Sequence, residues 1–385
     1  MKLRLYGGFG EKGRTSLGIE SASTRLIIDA GINTNAPRDA DWERAYYPAI
    51  SPADLAAADA LIITHAHEDH LGGLGWCLRH GFRGLILMTA ETQADMPGCL
   101  RDYAEPGDVA RALAAPITPI APGETVTIGD LTITTGRNGH VVGGVWCLVA
   151  GEGQRVLYCG DVVPKSSVFA YDVPPPADVV LLDASYGDDD VPSAERAEAI
   201  VDWVAAHPRC LLPVPLAGRS LEMLALLDCP LALAAGLRDA LKAQIADPRW
   251  LWPGLKAGLV ARLEQAIDWT GGEDWPDRPL MTYDAMGMGG PAAEHLPRAA
   301  REGLPILLTG HVPTASPAHQ MRAAGQAHWL RLPTHPTVSE NAGIATASGA
   351  RLSLGHSCDP SGLAAMAGRM PTLDAHVRTG DVIIL

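Results

Sequence analysis

The sequence predicts an α/β fold, a strand-rich scaffold interrupted by a mostly helical insert. Three observations lead there. Short apolar and β-branched runs recur between Gly, Asp and Asn turns through the first 190 residues. Helical spacing prevails after a polar turn at 188–193, and short strands return beyond residue 305. The expected organisation is 1–190 as the first part of the scaffold, 191–328 as the insert and 329–385 as the closing part. A length of 385 residues suits two or three folding units at roughly 150 residues each. With 47% apolar and 19% charged residues, the chain can bury a sizeable core and is not a disordered composition.

In order along the chain, strands are expected at 2–6, 26–29, 60–64, 84–88, 125–128, 131–135, 145–149, 155–158 and 179–182. A helix follows Asp69, where Leu71, Leu74 and Leu78 fall at i, i+3 and i+7. In the insert, Ala197, Ile200, Val201 and Val204 mark a helix that Pro208 ends. The Met-Gly-Met-Gly-Gly run at 286–290 is expected to be a flexible loop, since it lacks the Lys of a phosphate-binding loop. Strands return at 305–309, 328–332, 351–354 and 382–385. No repeat or low-complexity tract is expected.

Thirty basic residues against 44 acidic ones give a net charge of −14. That excludes binding to nucleic acid or anionic membrane through a broad basic surface, though not through a local groove. Apolar runs such as 229–237 fall far short of the ~20 residues of a spanning helix, so no membrane is expected. The opening residues lack the apolar core of a signal peptide, and a cytoplasmic location is expected. The seven cysteines are odd in number, scattered and never in CxxC spacing, so they read as reduced thiols rather than disulfides or a zinc finger.

The chemistry concentrates where Leu61-Ile-Ile-Thr64 runs into His65-Ala-His67-Glu-Asp69-His70. A buried strand there leads to a loop with three of the chain's 13 histidines within six residues. His65 and His67, two apart at a strand end, can point the same way and grip one cation. Asp69 and His70 can reach a second. Imidazole nitrogen with carboxylate oxygen suits Zn²⁺, or Mn²⁺ at the harder end. Further ligands occur in similar settings: His140 before Val-Val-Gly-Gly, and Asp161 after Val156-Leu-Tyr-Cys-Gly. An aspartate in that second position can bridge two cations through its two oxygens.

These stretches, with the upstream Ile27-Ile-Asp29-Ala-Gly, resemble the metal-binding signature of the metallo-β-lactamase fold. The resemblance implies an αββα sandwich with two zinc ions at one edge. By it His65, His67 and His140 hold one zinc, Asp69 and His70 the second, and Asp161 bridges both. Asp29 orients the loop from behind.

The downstream half narrows the resemblance. Val179-Val-Leu-Leu-Asp183, Gly218-Arg219, Gly310-His311, Leu332-Pro-Thr-His335 and Leu352-Ser-Leu-Gly-His356 follow the order of the β-CASP nucleases. That family includes ribonuclease J, the cleavage-and-polyadenylation endonuclease and the Artemis-like nucleases. It implies that the insert is a β-CASP domain. It also implies that His356 completes the second zinc's ligands, and that His335, steadied by Asp183, protonates the leaving oxygen. Arg219, near a helix start, and His311, where the family often has Tyr, are candidate contacts for substrate phosphate.

The implied function is zinc-dependent hydrolysis of phosphodiester bonds in a single-stranded nucleic acid, RNA favoured over DNA. A hydroxide bridging the two metals attacks, with Asp69 orienting it. A homodimer is expected by analogy of fold alone. Two other classes are weighed. One is a small-molecule hydrolase of the same fold acting on a thioester, lactone or cyclic phosphate, favoured by the acidic surface. The other is a non-catalytic RNA-processing scaffold, disfavoured because every motif position is filled.

Overall fold

In a computed structural model of the chain, the described residues are 1–36, 41–101, 103–272 and 274–385. They form two compact units. The first comprises Met1–Pro164, Tyr171–Asp190 and His335–Leu385, and the second Lys165–Ala170 and Val191–Thr334. The sequence places the end of the insert at 328. Parallel pairing of His328 with Leu307 and Trp329 with Leu308 instead keeps that strand in the second unit.

The first unit holds two seven-stranded sheets. One has the order Val382–Ile384, Lys2–Gly7, Ser16–Glu20, Arg25–Ile28, Ala60–Ile62, Leu85–Met88, Ile117–Pro119. Its pairs change from antiparallel to parallel at Arg25–Ile28. The other has the order Leu373–Asp374, Leu352–His356, Val179–Asp183, Gln154–Tyr158, Val145–Gly151, Leu131–Arg137, Thr125–Ile128. Here the first four strands run parallel.

Side chains alternate across each strand, and both faces are covered. In the first sheet Ile27, Leu61, Ile63, Ile86 and Met88 pack with helix residues Leu55, Leu74, Cys77, Met96 and Leu100. In the second, Leu157, Val180 and Leu182 pack with Val338, Ile344, Leu363 and Met366 of the closing helices. The intervening residues Leu26, Ile28, Leu87, Val149, Val156, Val179 and Leu181 are buried as well. Two sheets buried on both faces, with helices on one face of each, make the expected αββα sandwich.

Ser16–Glu20 escapes sequence reading because all five residues are buried, leaving no alternation to detect. Gly18 within it is required by packing, since a Cβ there would lie 2.5 Å from the Tyr6 ring.

The second unit is rich in helices, as expected. Between them runs a four-stranded parallel sheet in the order Leu211–Pro213, Leu280–Thr282, Ala232–Ala234, Ile267–Trp269. Each strand is three residues long, too short to carry a periodicity. Its core is Leu211, Ala232, Leu280, Leu296, Ala299, Ile306 and Leu308. No described helix is long and apolar enough to cross a membrane.

Candidate metal centre

The candidate ligands of the first unit stand at or just beyond the carboxyl ends of parallel strands, where the chain leaves the sheet and open groups gather. Asp29 follows Arg25–Ile28, His65 follows Ala60–Ile62, Asp161 follows Gln154–Tyr158, and Asp183 and His356 end their own strands. Asp183 and His356 are register partners on neighbouring strands. His67 caps the short helix Glu68–Leu71, which carries Asp69 and His70. That helix approaches the preceding loop so closely that a Cβ on Gly31 would lie 1.7 Å from the Asp69 carbonyl oxygen. Only glycine fits there.

The scaffold behind the ligands is Asp29, fully buried and at φ +61, a conformation rarely adopted outside glycine. Its Oδ1 accepts from the Thr64 amide at 2.8 Å. Its Oδ2 accepts from the Thr64 hydroxyl at 2.9 Å, the Tyr158 hydroxyl at 2.9 Å and His70 Nδ1 at 2.7 Å. The Thr64 hydroxyl also lies 3.0 Å from His65 Nδ1. A hydroxyl that donates to Asp29 must accept from His65, so the His65 proton sits on Nδ1 and its Nε2 keeps a lone pair.

That lone pair faces a gathering of ligand atoms. His65 Nε2 is 3.2 Å from His67 Nδ1, which is 3.1 Å from His140 Nε2. Asp161 Oδ2 lies 3.6 Å from His65 Nε2 and 3.5 Å from His140 Nε2. Each residue of this His65–His67–His140–Asp161 group offers one ligand atom, and these lie within 4.8 Å of one another. Ligands at 2.0–2.1 Å from a tetrahedral cation are about 3.3 Å apart, so the donors fit such an ion. Burial lowers His65 and His67 well below the ordinary histidine range, and the neighbouring imidazoles add to it. Neutral imidazoles are the form that binds a metal.

The other oxygen of Asp161 faces a different partner. His70 Nε2 and Asp161 Oδ1 are buried and 3.0 Å apart, yet neither makes a hydrogen bond among the described residues. Asp69 Oδ2 lies 3.9 Å from His70 Nε2. Burial opposes charge on His70, but Asp161, Asp69 and Asp29 outweigh it and hold the ring well above the ordinary range. His356 is fully buried nearby, its ring 6.1 Å from that of His70. Its Nε2 meets the Gly160 carbonyl at 3.2 Å and its Nδ1 the Ser357 hydroxyl at 3.1 Å. Among the described residues Asp69, His70 and His356 do not join Asp161 in a group of ligand atoms within 4.8 Å of one another, although His70 meets it at 3.0 Å.

His335 Nδ1 hydrogen-bonds Asp183 Oδ2 at 2.8 Å and lies 3.7 Å from Asp161 Oδ2, and these three form a second group of possible ligands. Asp183 is fully buried, whereas the His335 side chain is 20% exposed. Burial lowers His335, but Asp183 and Asp161 prevail and raise it. Tyr186 sets its ring edge-on to His335, centroids 5.1 Å apart.

Arg219 and His311 lie in the second unit. Arg219 opens the helix Arg219–Leu226, and its Nη2 donates to the Thr334 hydroxyl at 3.1 Å. Its guanidinium packs on Gly310, where a Cβ would lie 2.0 Å from Nη1. His311 is exposed. Sequence reading missed Thr64 and Tyr158, which appear in the motifs only as flanks. Tyr158 also stacks on His356, centroids 5.4 Å apart. The one available signal was polar groups in an otherwise apolar strand run.

The chain is similar to known proteins along much of its length. The Beta-lactamase superfamily domain matches residues 24–225. Ribonuclease TTHA0252 of Thermus thermophilus is 34% identical over 43% of this chain and 39% of its own length. The transcription termination factor FttA of Methanocaldococcus jannaschii is 27% identical over 78% of this chain and 54% of its own length. Cleavage and polyadenylation specificity factor 73 of Drosophila melanogaster is 28% identical over 59% of this chain and 36% of its own length. The chain spans about half or less of the curated relatives it matches. A crystal structure of a protein of unknown function from Enterococcus faecalis superposes over 100% of this chain and 99% of that one, with TM-score 0.66 and 12% identity. That likeness is one of fold.

Proposed function

This chain belongs to the beta-lactamase superfamily, and from that premise we propose that it is a β-CASP-type nuclease that hydrolyses phosphodiester bonds of single-stranded RNA with two divalent cations, zinc favoured. The observation that carries the reading is the orientation of Asp161. One oxygen faces the His65–His67–His140 trio and the other faces His70, as a carboxylate bridging two cations requires. The similarity to a Thermus thermophilus ribonuclease supports the substrate class.

In this reading His65, His67, His140 and Asp161 would hold one cation, and Asp69, His70, Asp161 and His356 would hold the other. Bound cations supply Lewis acidity and make water acidic enough to attack near neutral pH. Asp69 accepts a proton from the attacking water and aims it at phosphorus. His335 donates a proton to the departing oxygen: Nδ1 is tied to Asp183, so the proton leaves from Nε2. Arg219 and His311 contact substrate phosphates.

The test is a cleavage assay on 5′-labelled single-stranded RNA and DNA with Zn²⁺ or Mn²⁺, and an Asp69→Ala control. RNA cleavage that the control loses is the expected result, and the ladder separates exonuclease from endonuclease. No cleavage by metal-loaded protein would sink the reading and favour the small-molecule hydrolase, to which the charge of −14 is better suited.

A further inference from the structure

The loop 8–15 is pinned on both sides of the metal centre. Its Gly8 carbonyl accepts from the Ser357 amide at 2.7 Å, one residue past His356. Its Thr15 amide donates to the Asp69 carbonyl at 2.9 Å, and the Thr15 and Ser357 hydroxyls are 3.3 Å apart. Phe9 bridges to Cys358, and Arg14 pairs with Glu11 at 2.8 Å. The loop therefore spans the segments that carry Asp69 and His356, with little freedom to shift.

From the middle of this loop Lys12 reaches the Ser185 carbonyl, with Nζ at 3.1 Å. Ser185 lies between the two residues that frame His335. Its own amide donates to Asp183 Oδ1 at 3.1 Å, and the next residue is Tyr186. The ammonium is thus placed at the rim of the His335–Asp183 pair. Among the described residues it has no other hydrogen-bond partner and no carboxylate within salt-bridge distance, and Lys12 is exposed. An exposed cation bonded to one neutral carbonyl, with Asp359 near enough to feel its charge but outside salt-bridge distance, keeps capacity for an anion. In a chain of net charge −14, whose candidate metal centre gathers Asp29, Asp69, Asp161 and Asp183 around its histidines, such a cation is where a polyanion gains most.

We propose that Lys12 is a substrate-binding residue that holds a backbone phosphate of the nucleic-acid strand, next to the one attacked. The proposal rests on the nuclease reading above. Lys12 does not touch the reacting atoms, so it acts on affinity and on the position of the strand. A purely structural role, clamping the turn after Asp183, is the competing account.

Lys12→Gln separates the two, because the amide still donates to the Ser185 carbonyl while the charge is lost. The metal-loaded full chain, its Lys12→Gln and its Lys12→Arg forms are compared on single-stranded RNA and on thymidine 5′-p-nitrophenyl phosphate, which has no neighbouring phosphate. For Lys12→Gln, KM for RNA is expected to rise about tenfold with kcat within about twofold. The slope of log kcat/KM against log salt should become shallower by about 0.7. Lys12→Arg should restore both, and the small reporter should be unaffected. RNA carrying one methylphosphonate should lose its sensitivity to Lys12→Gln at a single position. An unchanged KM and salt slope in Lys12→Gln would overturn the proposal alone. Wild-type protein that hydrolyses the reporter but not RNA would overturn the nuclease reading, and this proposal with it.

Discussion

Two sets of histidines share Asp161, and the protein treats them oppositely. His65 and His67 face other imidazoles with one carboxylate among them, and burial drives them towards the neutral form. His70 is buried and His335 partly so, but each has a carboxylate within hydrogen-bond range, Asp29 for one and Asp183 for the other. Both are raised. Among these four rings the directly bonded carboxylate marks the difference, whereas at fully buried His356 burial outweighs three carboxylates and lowers the ring. Under the proposed function the first set would hold a cation, His335 would carry a proton, and His70 would exchange its proton for a cation.

The largest effect should come from breaking the first set. His67→Ala should lose bound metal, measured by elemental analysis, and reduce RNA cleavage to background. Retention of the full metal complement would mean that the trio is not a metal centre. Next comes His335→Ala, expected to lower kcat by ~10²–10⁴-fold with metal content intact. If metal leaves with His335, the contrast between the two sets collapses and the residue is a ligand.

Tyr158→Phe probes the support behind both sets, since the hydroxyl steadies Asp29 and through it Thr64 and His70. A loss of about tenfold in metal affinity, read by chelator competition, is expected. Unchanged affinity would leave Asp29 sufficiently held by Thr64 and His70 alone.

The smallest effect gauges the fold away from the site. Glu20, paired with Lys2 and Arg4, is pulled up by burial but brought below its ordinary range by those two cations. A depressed folded value adds stability above the unfolded pKa near 4.3, which is lost as pH falls through the folded value. Glu20→Gln should therefore lower stability by about 1 kcal/mol above pH ~5, with the gap closing in more acidic solution. Thermal unfolding across that range measures it, and metal content should not change.

The motif from His65 to His70 was legible because its ligand types crowd into six consecutive residues and lie at a strand end. His140 and Asp161 could be suspected from their strand-end settings beside that motif, whereas Asp29, Asp183, His335 and His356 were legible only through resemblance, each being an ordinary turn or surface residue by itself. Lys12 and Tyr158 carry no local mark of their roles. Lys12 acquires its place through a contact 173 residues away, and Tyr158 through one 129 residues away. The parallel sheet of the second unit was illegible for a different reason. Its strands, such as Leu211–Pro213 and Ala232–Ala234, are three residues long and hold too few residues to reveal a period.

By itself the sequence determined the donor atoms and their chemistry: imidazole and carboxylate in spacing suited to a divalent cation, a strand-rich scaffold and an acidic balance. Local preference and periodicity act over a few residues, and that is as far as they reach. Which donors meet was decided by sheet register and by loops closing over large separations. Asp183 meets His335 across 152 residues, and Asp161 turns one oxygen to each of two histidine sets. Those juxtapositions depend on two sheets packed from strands throughout the first unit, so only the folded chain contains them.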